Sequence, residues 1–297
     1  MNDFIIMTDS CCDLPAQLAD KLELTVLPLS FTINGKEHYN YLDGRDISSS
    51  HFYRLLREGT QCTTSAANTN AFLSAMEPVL KKGKDILCIC FSSALSTTCA
   101  SAQMAAKELV LKYPNNKIYI VDSLSASLGQ GMLTYYAVQQ KQNGKTIEQV
   151  YQWMEQNKLH LCHWFTVDDL NHLKRGGRIS PAVAFVGSLL GMKPILHVDD
   201  TGHLVNVGKI KGRRASLSQL VEKLEQTAVH IAEQTIFISH GDCSEDAELL
   251  ANMIRKQLPI KDIIINPIGP VIGSHSGPGT LAVFFFGTKR KIKTATL

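Results

Sequence analysis

The side chains best suited to chemistry in this 297-residue sequence are one histidine and a series of hydroxyls. His275 stands between Ser274 and Ser276 in Gly269-Pro270-Val271-Ile272-Gly273-Ser274-His275-Ser276-Gly277-Pro278-Gly279. That density of glycine and proline predicts a shaped loop rather than a helix or strand, set between apolar runs at 263–265 and 281–286. Upstream, hydroxyls gather just after expected strands or just before expected helices: Thr8-Asp9-Ser10, Thr63-Thr64-Ser65, Ser92-Ser93 with Ser96, and Asp122-Ser123. Hydroxyl donors beside helix N-termini, at the carboxyl edge of a parallel sheet, suit an anionic head such as a carboxylate or phosphate. Each cluster taken singly also reads as an ordinary helix cap. Ser93, His275 and a nearby Asp could instead serve as nucleophile, base and orienting acid in acyl transfer or hydrolysis. Gly176-Gly177-Arg178 holds an arginine just after a sharp bend, which fits a ligand clamp or a partner contact.

The elements that must position these groups follow from pattern. An apolar strand at 4–7 leads to a helix start at Asp13-Leu14-Pro15, with Asp13 as its cap. Residues 25–33 read as one strand, and Asn34-Gly35 turns it into an antiparallel hairpin. Helices are expected near 48–59, 68–80, 92–111, 129–142 and 146–158, with strands at 86–91 and 117–121 between them. Strand–loop–helix alternation predicts a parallel, helix-covered sheet over residues 1–160. Beyond it the rhythm changes. Strands near 161–167, 194–198, 203–211, 235–240, 262–267 and 281–286 predict an α+β unit over 161–297 with a mixed or antiparallel sheet. An apolar stretch at 182–192 follows Ser180-Pro181.

Composition excludes several classes. A net charge of +3, with no basic stripe, does not suit nucleic acid. The basic run Lys289-Arg290-Lys291-Ile292-Lys293 reads as a solvated tail. Eight cysteines without a C-x-x-C fit free thiols in a reducing cytosol. No leader is expected at the N-terminus, and 182–192 is too short to span a bilayer, so a cytoplasmic protein without an integral membrane segment is expected. There is no G-x-S-x-G and no G-x-x-x-x-G-K-[ST]. His160 and His163, three apart in a strand, point to opposite faces and make no metal site.

Together the motifs resemble the DegV family of bacterial fatty-acid-binding proteins, which work with a fatty acid kinase. The resemblance rests on Thr8-Asp9-Ser10, Thr64-Ser65, Ser92-Ser93-Ala94-Leu95-Ser96, Val121-Asp122-Ser123, residues 173–179, Lys193-Pro194-Ile195 and Gly269 to Gly279. It implies an N-terminal parallel α/β domain and a C-terminal α+β domain, with a long acyl chain buried between them. It implies that Thr64 and Ser93 hold the carboxylate, with His275 in the same network. Ser65, Ser96, Gly273 and Ser274 are further candidate contacts, and Arg178 would engage an ATP-dependent kinase subunit. No cofactor is implied beyond the bound fatty acid. Thr97 stands where the family often has glycine.

Overall fold

The computed structural model describes residues 3–179 and 191–290. The apolar stretch at 182–192 therefore lies almost wholly outside the described residues. The N-terminal sheet is parallel, in the order β2-β1-β6-β7, from β1 (Phe4–Asp9), β2 (Thr25–Leu27), β6 (Asp85–Cys90) and β7 (Ile118–Asp122). Helices cover both faces, so β6 is buried at every position and reads as an unbroken apolar run. Beside it sits an antiparallel ribbon, β4-β3-β5, of β3 (Ser30–Ile33), β4 (Lys36–Tyr39) and β5 (Cys62–Ser65).

Residues 25–33 are thus two strands in two sheets. Pro28 lacks the N–H that a continuous ladder needs. The next amide, Leu29 N–H, donates to the Ser10 hydroxyl at 3.0 Å, so the chain leaves one sheet and enters the other there. The Asn34-Gly35 turn forms as expected, both residues having positive φ (52° and 72°).

Four helices pack on the parallel sheet and the ribbon: α1 (Ala16–Lys21), α2 (Ser49–Arg57), α3 (Thr69–Lys81) and α4 (Thr98–Lys112). They are followed by α5 (Leu128–Gln142) and α6 (Ile147–Asn157). α5 touches β1 and β6 on one side and, on the other, the strands Leu161–Thr166, Thr235–His240 and Leu281–Phe286 of a second sheet. One core therefore runs from Ile6 and Leu87 through Leu128 and Met132 to Phe165 and Phe284.

The second sheet has the order β10-β9-β8-β13-β11-β12. Its strands are β8 (Leu161–Thr166), β9 (Met192–Val198), β10 (Leu204–Lys211), β11 (Thr235–His240), β12 (Asp262–Pro267) and β13 (Leu281–Phe286). Only β11 and β12 run parallel within it. α7 (Asn171–Arg175), α8 (Arg213–Thr227) and α9 (Ser244–Gln257) belong to this half. Fold class thus follows the expectation: a parallel N-terminal sheet and a mixed C-terminal one.

The glycine-rich stretch around His275 is not a loop. It forms α10 (Pro270–Ser276). Pro270 occupies the first helical position, where its missing N–H costs nothing. Gly277, at φ 80°, ends the helix in a conformation that favours glycine. These residues bracket a two-turn helix instead of preventing one.

Asp13 does not cap α1. It closes a 3-10 turn at φ 49°, and Pro15 takes the cap position without a side-chain bond. Arg290 departs furthest from expectation. Far from being solvated, it is 2% exposed. Its guanidinium donates to the carbonyls of Lys158 (2.7 Å), Leu124 (3.0 Å) and Asp199 (3.2 Å), bridging segments of both sheets' surroundings.

Candidate functional site

The carboxyl edge of the parallel sheet faces the second sheet across a cavity of about 530 Å³. That is within the ~300–1,000 Å³ typical of small-molecule sites. Its walls are mainly apolar, with Phe91, Leu95, Phe165, Val198, Val271 and Phe284 drawn from both halves. Hydroxyl and imidazole groups line it as well.

Thr64 sits near the end of β5, and His275 in the last turn of α10. The Thr64 hydroxyl and His275 Nε2 are 2.8 Å apart, 211 residues apart in sequence. Gly176 backs the other ring nitrogen. A Cβ at Gly176 would lie 2.2 Å from His275 Nδ1, so glycine is what lets the imidazole reach Thr64. Burial, helped by the Arg178 guanidinium, pushes the His275 imidazole down to about 4, so it is neutral at physiological pH.

Ser93 lines the same cavity from the loop after β6. Its backbone N–H donates to Asp122 Oδ1 at 3.2 Å, and Leu124 N–H donates to the same oxygen at 3.0 Å, which couples the two loops. Ser65 and Ser96 also line the cavity. The Ser96 hydroxyl lies 2.9 Å from that of Thr98 and accepts from Thr98 N–H, holding the start of α4. Thr97 has φ −79° and ψ 0°, a conformation open to any residue, so its β-branch is accommodated.

Gly273 and Ser274 lie off the cavity. Gly273 packs on Tyr53 and Phe52. The Ser274 hydroxyl donates to Pro270 O at 2.6 Å, 2.9 Å from Cys62 Sγ, and faces outward. Arg178 lines the cavity beside His275, with Nε donating to Leu95 O at 3.2 Å and Nη1 to Gly176 O. Burial holds its pKa below the usual arginine range.

A profile of the DegV family, a family of uncharacterised proteins, matches residues 3–288. The chain belongs to the DegV family. A DegV domain-containing protein of Clostridium perfringens is 50% identical over 291 residues, 98% of this chain and 100% of its own length. Another from Streptococcus pyogenes is 36% identical over 284 residues, 96% of this chain and 98% of its own. Among solved structures, a fatty-acid-binding DegV protein of Thermus thermophilus is 28% identical, with TM-score 0.87 over 96% of this chain and 99% of its own. The fatty-acid-binding DegV protein of Bacillus subtilis is 27% identical, with TM-score 0.83 over 97% of this chain and 100% of its own.

Several further polar groups line this DegV cavity. Ser276 lines it, and its buried hydroxyl oxygen has no partner among the described residues. Ser127 and Ser239 line it too, with hydroxyls 3.0 Å apart. Ser127 Oγ also donates to the buried Asp13 carboxylate at 2.6 Å. His163 lines the cavity, with Nε2 3.0 Å from the Ser125 hydroxyl. That pair looks like a nucleophile and its base, but Arg290 faces Nδ1 at 3.4 Å. Arginine only donates, so Nδ1 accepts and Nε2 carries the proton. Ser125 therefore accepts from His163 and donates to Ser123 O at 3.1 Å, leaving no base for its own proton.

No group of three or more His, Cys, Asp or Glu side chains among the described residues could hold a metal ion, and no described helix is long and apolar enough to cross a membrane. All eight cysteines are free, with Cys88 and Cys90 Sγ 3.7 Å apart in the core.

Asp13 joins the halves of the molecule. Its carboxylate accepts from Ser127 and from Gly269 N–H (3.0 Å), and its carbonyl accepts from Asn266 Nδ2 (2.8 Å). Burial pushes this carboxyl up from 3.8 to about 7, with Asp9 nearby adding to the shift. Between those values the folded protein keeps a proton that the unfolded chain has released. The resulting stability is full below about 3.8 and is lost as pH rises through about 7. Asp13→Asn keeps a donor toward Ser127 and removes this ionisation. Its denaturation midpoint is expected to gain on the wild type as pH rises from about 5 to about 8. Parallel pH profiles for the two proteins would show that Asp13 ionises as an ordinary carboxyl.

Proposed function

We propose that this protein binds a long-chain fatty acid in the cytoplasm, without itself transforming it, and presents the carboxylate to an ATP-dependent kinase subunit. The observation that supports the reading is the make-up of the site: a mainly apolar cavity between the two halves, lined also by Ser93 and by the bonded pair Thr64 and His275. Relatives of the same fold that bind fatty acids support it. The halves themselves we assign to residues 1–160 and 161–297.

The energetics favour a tail-driven site. An acyl chain of ~16 carbons gains roughly 0.8 kcal/mol per buried CH₂, about 12 kcal/mol gross, from which immobilisation removes several. The head then needs orientation more than attraction. The hydroxyls of Thr64 and Ser93 donate to the carboxylate, and neutral His275 fixes the Thr64 hydroxyl. Neutral donors leave the carboxylate more nucleophilic than a bidentate arginine would. In the kinase reaction a carboxylate oxygen attacks the γ-phosphorus of ATP, the bond from that phosphorus to the ADP oxygen breaks, and acyl phosphate and ADP result. The kinase supplies the nucleotide site.

The alternative reading, acyl hydrolysis or transfer through Ser93 and His275, is less well supported. The hydroxyl bonded to His275 is that of Thr64, and among the described residues no carboxylate bonds the other ring nitrogen.

The test is acyl-phosphate formation by the loaded protein with the kinase and ATP. Ser93→Ala is expected to cut the rate, and Arg178→Ala to cost turnover more than lipid affinity. Wild-type rates in both variants would overturn the head-group and partner assignments.

A further inference from the structure

Ser276 is 6% exposed and lines the cavity, yet its Oγ has no hydrogen-bond partner among the described residues. At the end of α10 it could bond back to the carbonyl one turn earlier, as helical serines often do, and it does not. Ser274 makes that bond, to Pro270 O at 2.6 Å. Other hydroxyls on this wall are already committed. Thr280 Oγ1 donates to the carbonyls of Ser276 and Gly277, each at 2.9 Å. Ser127 Oγ donates to Asp13, and Ser239 Oγ lies 3.0 Å from it. A hydroxyl buried without a partner forfeits the bonds it made to water. In a cavity wall, the partner that restores them is a polar atom of the ligand.

The geometry of α10 places that atom on the ligand. Consecutive residues of an α-helix point about 100° apart. Ser274 meets Cys62 and His275 meets Thr64, both on β5. Ser276 is therefore turned one step further around the helix, away from β5 and Thr64. It remains close along the path, since adjacent Cα atoms are about 3.8 Å apart. A chain whose carboxylate bonds Thr64 and Ser93 passes Ser276 within its first few carbons, not at its far end. A plain acyl chain presents only CH₂ groups there and leaves the Ser276 hydroxyl unbonded. A hydroxyl on one of those carbons can both donate to Ser276 Oγ and accept from it.

We propose that the cavity selects acyl chains hydroxylated close to the carboxylate, at the second or third carbon, with Ser276 Oγ pairing with that hydroxyl. This rests on the fatty-acid reading above and narrows its ligand class.

The test titrates the full-length protein, wild type and Ser276→Ala, with octadecanoic acid and with its 2-, 3- and 12-hydroxy derivatives. The wild type is expected to take the 2- or the 3-hydroxy acid at least as tightly as octadecanoic acid. It should take the 12-hydroxy acid about tenfold more weakly, because that hydroxyl is buried among apolar side chains. Ser276→Ala should weaken the favoured hydroxy acid about threefold to tenfold, the range of a neutral hydrogen bond, and leave octadecanoic acid within about twofold. An equal loss for the hydroxylated and the plain acid would overturn the proposal, placing Ser276 at the carboxylate or in the fold instead. A wild type that binds both the 2- and the 3-hydroxy acid more weakly than octadecanoic acid would also overturn it, while leaving the fatty-acid reading intact. A wild type that binds none of the four acids would overturn that reading as well.

Discussion

Arg290→Met should lower the unfolding free energy by roughly 3–5 kcal/mol, read as a fall in the denaturant midpoint at unchanged slope. Among the described residues no carboxylate directly contacts Arg290, a buried cation, and burial pushes its pKa down to about 10. Burying that charge costs energy, and removing it returns part of the cost. The acceptors left behind decide the sign. The carbonyls of Leu124 and Lys158 and His163 Nδ1 would lose their donor together, while Asp199 O keeps the Gly202 N–H. Each unpaired buried acceptor costs about 1–3 kcal/mol. The effect extends to function, because Leu124 leads into the cavity-lining Ala126 and Ser127 and adopts a positive φ of 48°. A variant within about 1 kcal/mol of wild type would contradict this account of Arg290.

The second large effect is expected at the cavity's hydroxyl groups. Thr64→Val combined with Ser93→Ala removes both hydroxyls assigned to the carboxylate and leaves the cavity's volume nearly unchanged. A hydrogen bond to a charged group contributes about 1.5–3 kcal/mol, so the pair should weaken fatty acid binding by roughly a hundredfold or more. A primary alcohol of the same chain length, carrying no carboxylate, serves as the control. Its affinity should fall far less, since it depends on the tail. Equal losses for acid and alcohol would mean that the cavity itself had been damaged. No loss for the acid would remove Thr64 and Ser93 from the head-group site.

Much of this arrangement was legible before the fold was known, for reasons that differ by residue. β6 announced itself because both its faces are buried, which removes polar alternation. Asn34-Gly35 fixed a hairpin because few dipeptides accept two positive φ values. The resemblance to the DegV family pointed to Thr64, Ser93 and His275, and all three line one cavity.

The failures share one cause: tertiary partners decided what local sequence left open. Pro270 and Gly277 look like helix breakers in sequence, yet at the two ends of α10 they are helix delimiters. Pro28 divides an apparent strand because the following amide is claimed by Ser10. Thr64 does precede a helix, α3, but no local pattern signals its pairing with Phe31 in an antiparallel ribbon. Asp13 resembles a cap in sequence and is instead held by groups more than a hundred residues away. Arg290 lies in a run of lysines that gives no sign of burial, and only the return of the chain past β13 encloses it.

The most direct test of the central claim is native mass spectrometry of the purified protein, followed by organic extraction and identification of what is released. One fatty acid per chain, retained in the native state and released on denaturation, is the predicted result, and its length would report the reach of the cavity. A protein that leaves purification empty, and that takes up no fatty acid on titration, would contradict the account.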